Sequence, residues 1–110
     1  MMRMVSGDDV ETRVKHGVGF LALDFYQASC RPCKVLAPRL ETWAAQRART
    51  FPVYRIDIDQ DMPVAHRFNV QTIPTVLILR DGQEVQRLDG LVSGDDLQSA
   101  VERAGIAAGV

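Results

Sequence analysis

Residues 20–40 read FLALDFYQASCRPCKVLAPRL, and the reading of this stretch decides the fold. Its first part, Phe20 to Tyr26, is a short and nearly continuous apolar run, as expected for a strand buried on both faces. One residue breaks the run, Asp24. Beyond the cysteines, Leu36, Leu40, Trp43 and Ala44 recur at helical spacing, with Arg39, Glu41 and Gln46 on the other side. Pro38 falls inside that pattern and predicts a kink, because proline removes an amide donor and crowds the preceding turn. Between strand and helix stand Cys30 and Cys33, the only cysteines of the chain.

Three readings of this pair compete. A structural staple is the weakest, since a disulfide stabilises mainly by closing a loop in the unfolded chain, and a two-residue spacer closes almost nothing. Zinc needs four ligands, commonly a second Cys pair or two closely spaced histidines. The two histidines, His16 and His66, lie far apart and there is no second pair. The placement favours dithiol chemistry, because free backbone amides and the helix dipole at a strand-to-helix junction stabilise a thiolate. Cys30, the outer residue, is then the better nucleophile, and Cys33, a turn further in, the more buried. Pro32 sits early in the helix, where proline is tolerated, and stiffens the loop between the sulfurs.

Outward from this stretch the chain alternates. Ser6 to Asp9 offer caps ahead of a short helix, VETRVKHG, which Gly17 can end. PVYRIDID (52–59) places Tyr54, Ile56 and Ile58 on one face and Val53, Arg55, Asp57 and Asp59 on the other, which is a strand. DMPVAHRFN (61–69) is a short helix candidate. PTVLILRDGQEVQRLDG (74–90) reads as an antiparallel hairpin turning at Asp81-Gly82. A last amphipathic helix follows, capped by Ser93, with Leu97, Ala100, Val101 and Ala104 as its apolar stripe. A short extra strand is expected at Met2 to Val5. The order predicts an α/β fold with a parallel core and an antiparallel hairpin at its edge.

The 110 residues suffice for one domain, expected to span 1–110. With 13 basic and 14 acidic residues interspersed, no excess of one sign points to nucleic acid or an anionic membrane. No apolar window is long enough to span a bilayer. The opening MMRMVSGDDVETR has no apolar core of an export signal, so the expected setting is the reducing cytoplasm. There a Cys pair is more often catalytic or metal-binding than structural.

The ordered set LDFYQASCRPCKVLAP, YRIDID, TIPT, RDGQEV and the glycine of LDGLV resembles the thioredoxin family over about Gly7 to Ala104. The resemblance implies a thioredoxin fold: a central mixed sheet of four to five strands flanked by helices on both faces. It also implies reduction of protein disulfides through a mixed-disulfide intermediate. Cys30 then attacks the substrate, and Cys33 attacks Cys30 to release the reduced product. No bound cofactor or metal is expected. The working group is a redox-active Cys30–Cys33 disulfide, its electrons coming from NADPH through a flavin enzyme, thioredoxin reductase. The implied partners are that reductase and disulfide-containing proteins, with no nucleic acid and no membrane.

Asp24 has two readings. It is either turned to solvent or salt-bridged, or, as the resemblance implies, it is a buried general base that accepts the proton of Cys33, its pKa raised by desolvation. Arg55 stands where the family usually has a lysine facing that acid. It is either a solvated cation or a partner that holds Asp24 ionised. Pro74 matches the family's cis-proline, which leaves the backbone of Ile73 to pair with an extended substrate segment. Gly90, Leu91 and Val92 match the loop that completes the apolar rim.

Departures from the family pattern cluster at the cysteines. Ser29 and Tyr26 replace tryptophans, and Arg31 replaces a glycine. Ser29 removes an apolar platform from the docking surface. Arg31 sets a cation beside Cys30, which favours its thiolate and makes the couple more oxidising. The altered rim keeps a second reading open, a thioredoxin-like binding module with little reductase activity.

Overall fold

The computed structural model describes residues 2–4, 12, 19–46 and 52–105. The helix expected before Gly17 lies outside the described residues, Thr12 apart. In chain order the elements are β1 (Met2–Met4), β2 (Phe20–Tyr26), α1 (Arg31–Ala45), β3 (Val53–Asp57), α2 (Met62–Arg67), β4 (Thr75–Arg80), β5 (Gln83–Asp89) and α3 (Gly94–Arg103). The five strands form one sheet in the order β1-β3-β2-β4-β5. β3 runs parallel to both β1 and β2, while β4 is antiparallel to β2 and to β5. The sheet is therefore mixed, with β2 at its centre.

Local chemistry accounts for the edges of these elements. The hairpin turns through Asp81 (φ 50°) and Gly82 (φ 84°), two positive-φ positions that a tight two-residue turn requires. At the start of α3, Ser93 Oγ accepts from the Asp96 amide at 3.1 Å, and the Asp96 carboxylate accepts from the Ser93 amide at 2.9 Å. This reciprocal cap satisfies two otherwise orphaned donors.

Alternation along the strands builds two cores, one per face. Ala22, Val53, Val76 and Ile78 meet Leu36, Leu40 and Trp43 of α1 and Leu97, Ala100 and Val101 of α3. Leu23, Phe25, Tyr54, Ile56, Leu77 and Leu79 meet Val64 and Ala65 of α2 on the other face. Each fully buried leucine here contributes about 1.5–3 kcal/mol. Helices on both faces agree with the expected layering. Asp24 shares the parity of Ala22, so it is turned toward the α1 face, the face that carries the cysteines.

Candidate active site

β2 leads through a short turn into α1, and that junction presents the cysteine pair. Cys30 is the N-cap of α1, with extended backbone, and its Sγ accepts from the Cys33 amide at 3.1 Å. Cys30 and Cys33 are joined as a disulfide, with their Cα atoms 5.2 Å apart. The two ends of the bridge differ in access: Cys33 is 2% exposed, whereas Cys30 is only half-buried. Pro32 occupies the first turn, and Ser29, Arg31 and Pro32 are all exposed. Chemically, a sulfur at a helix start, with amides aimed at it, leaves as or persists as a thiolate.

Asp24 is 1% exposed on the central strand. The register sets Asp24 beside Arg55 on β3, and Arg55 Nε donates to Asp24 Oδ2 at 3.1 Å. The open question about Arg55 is thus answered: it reaches the acid, with its own side chain 21% exposed. Its guanidinium also lies over the Tyr26 ring, 3.9 Å from the centroid. Burial and this partner act on the acid in opposite directions. Desolvation pushes the Asp24 carboxyl above its ordinary 3.8, and it outweighs the opposing charge and hydrogen bond of Arg55. Asp24 Oδ1 has no hydrogen-bond partner among the described residues. A cleft of about 330 Å³, lined by Tyr26, Gln27, Cys33, Lys34 and Arg55 among others, joins Cys33 to the residue that holds this acid.

On the far side of β2, the Ile73–Pro74 peptide is cis. The Gly90 amide donates to the Pro74 carbonyl at 2.8 Å, tying the Gly90–Leu91 loop to the proline. Thr75 Oγ1 lies 2.6 Å from the Thr72 carbonyl and 3.1 Å from Asp89 Oδ1, which braces the same turn. Leu91 is 46% exposed and Ile73 half-buried, so apolar surface remains at this rim.

Two braces were not foreseen from the sequence. Gln27 Nε2 donates to Asp59 Oδ1 at 2.9 Å, tying the turn before Cys30 to the loop after β3. Arg39 Nη1 donates to the Val92 carbonyl at 3.1 Å, so α1 holds the loop beyond Gly90. Arg39 lies on the polar face of α1, where helical periodicity marks solvent exposure and carries no signal for a contact 53 positions away. Among the described residues, no group of three or more His, Cys, Asp or Glu side chains is placed to hold a metal ion. Nor is any described helix long and apolar enough to cross a membrane.

Comparison with known proteins agrees with this geometry. The thioredoxin family model matches residues 2–103. The chain is 34% identical over 103 residues to a thioredoxin of Chlamydia muridarum, covering 94% of this chain and 98% of that one. It is 30% identical over 99 residues to a thioredoxin of Staphylococcus aureus, covering 90% and 93%. Its fold superposes on the X-ray structure of Fasciola hepatica thioredoxin with a TM-score of 0.83 at 27% identity, covering 94% of this chain and 99% of that one.

Proposed function

The chain belongs to the thioredoxin family and is a protein-disulfide reductase of the thioredoxin type, and we propose that Cys30 is its nucleophile and Cys33 its resolving thiol. The observation that carries this assignment is the asymmetry of the disulfide: one sulfur-bearing residue half-exposed at the helix start, the other buried behind it. In the reduced protein the Cys30 thiolate attacks one sulfur of a substrate disulfide. A Cys30–substrate disulfide forms and the substrate's other sulfur leaves as thiolate. Cys33 then loses its proton and attacks Cys30 Sγ, which forms the Cys30–Cys33 disulfide and releases the second substrate thiol. Two electrons have passed from the protein to the substrate.

Asp24 accepts the Cys33 proton in the second step. Its support is its place on the α1 face of β2, its burial and its upward-shifted pKa, the direction a stronger base requires. Arg55 positions and tempers that acid. The substrate segment lies extended along the Ile73 backbone beside Pro74, with Gly90 and Leu91 completing the rim and Ser29 and Arg31 flanking the attacked bond. NADPH recharges the disulfide through a flavin reductase, and the protein works in the cytoplasm, in keeping with its bacterial relatives.

Insulin reduction tests the assignment. With excess small dithiol as the electron source, the wild type precipitates the insulin B chain and Cys30→Ser does not. In the absence of that dithiol, pre-reduced Cys33→Ser accumulates a mixed disulfide through Cys30. Substrate binding without turnover in the wild type favours the binding-module reading instead. A mixed disulfide through Cys33 in Cys30→Ser, as fast as the one through Cys30, overturns the order of attack.

A further inference from the structure

The N-terminal half of α1 is cationic. Arg31, Lys34 and Arg39 occur before its first carboxylate, Glu41. Two of the cations near the cysteines are already engaged: Arg55 with Asp24, and Arg39 with the Val92 carbonyl. Arg31 and Lys34 are not. Both are exposed, and neither side chain makes an ion pair or hydrogen bond among the described residues. Arg31 directly follows the accessible cysteine, and Lys34 follows the buried one. On the other flank of Cys30, the exposed Ser29 offers little apolar area.

We propose that Arg31, supported by Lys34, selects substrates by charge: this protein prefers disulfides whose cysteines are flanked by acidic residues. The inference rests on the reductase reading and adds its substrate class. The physical reason is a change in what the docking rim can offer. Apolar contact at position 29 is small, so more of the discrimination falls to electrostatic complementarity, which steers encounter and disfavours partners of like charge. Arg31 acts before and during the first exchange, in which the Cys30 thiolate takes one substrate sulfur and the other leaves as a thiolate. The leaving thiolate and the flanking carboxylate both lie in the field of the same guanidinium.

The test uses two short cystine peptides that differ only in having Glu or Lys on either side of the target disulfide. Pre-reduced protein, freed of small thiols, is mixed with each peptide, quenched by alkylation and read by mass spectrometry, so no added reductant is needed. The wild type is expected to react faster with the Glu peptide, by roughly threefold or more at low salt, the scale of an exposed ion pair. Salt near 1 M removes most of the preference, since screening then acts over about 3 Å. Arg31→Lys keeps the ratio, Arg31→Gly lowers it and Arg31→Glu inverts it. Taking the ratio of two peptides cancels any change in the nucleophilicity of Cys30 itself. Equal rates in the wild type, or a preference unchanged in Arg31→Glu, overturns the inference while leaving the reductase reading intact. If folded wild type reduces neither peptide nor insulin, the reductase reading falls, and this inference with it.

Discussion

Arg55 Nε donates to Asp24 Oδ2 at 3.1 Å across paired positions of β3 and β2. The pair is unequal: the acid is 2% exposed and the arginine 21%. Burial therefore acts mainly on the carboxylate, and its pKa rises despite the adjacent cation.

That imbalance sets a pH dependence of stability. Because the folded pKa of Asp24 lies above the ordinary 3.8, the folded chain holds a proton that the unfolded chain has released. Stability from this group is full below about pH 3.8 and is lost as pH rises through the folded value. Asp24→Asn is therefore expected to be more stable than wild type at pH 7. The difference should shrink on acidification. Urea unfolding at pH 7 and pH 4 checks this, and a wild type more stable than the variant at pH 7 contradicts it.

Arg55→Leu removes both effects that pull the Asp24 pKa down, the charge and the hydrogen bond. The carboxyl should then titrate at higher pH than in wild type, as followed by its carbon chemical shift. The pH profile of the second, resolving step should move up with it. An unchanged or lower titration midpoint would show that Arg55 does not act on this acid.

Arg31→Gly should make the couple more reducing. An exposed cation beside Cys30 is worth about 0.2–1 kcal/mol, which is roughly 5–20 mV for a two-electron couple. Equilibration with glutathione buffers measures the shift, and slower alkylation of Cys30 near neutral pH should accompany it. Equal potentials for the two proteins rule this effect out.

Trp43 is 5% exposed in the core on the α1 face, 13 residues along the chain from Cys30, about 20 Å at the helical rise of about 1.5 Å per residue. Its emission should change little when Cys30–Cys33 is reduced. Spectra before and after reduction decide this, and a large quench or gain would mean that the redox state reaches the helix's far end.

Periodicity made much of the architecture legible. The apolar run at Phe20–Tyr26, the alternation through Tyr54 and Ile56, and the turn residues Asp81-Gly82 each constrain the backbone locally. They matched the elements found. The cysteine pair was legible for the same reason, because its spacing and its strand-to-helix position are local facts. Arg55 was not, since a cation on a strand looks the same whether it faces water or a carboxylate one strand away. Gln27 and Arg39 were missed on the same grounds: their partners, Asp59 and the Val92 carbonyl, lie 32 and 53 positions along the chain.

By itself, then, the sequence determined the elements, the faces that had to be buried, and the presence of a dithiol at a helix start, all products of short-range sterics and hydrophobic spacing. Only the tertiary structure decided which charges are spent and which remain available. Arg55 is taken by Asp24 and Arg39 by Val92, while Arg31 and Lys34 make no ion pair or hydrogen bond among the described residues. Electrostatic partnership depends on distance and burial in three dimensions, and neither is a property of spacing along the chain.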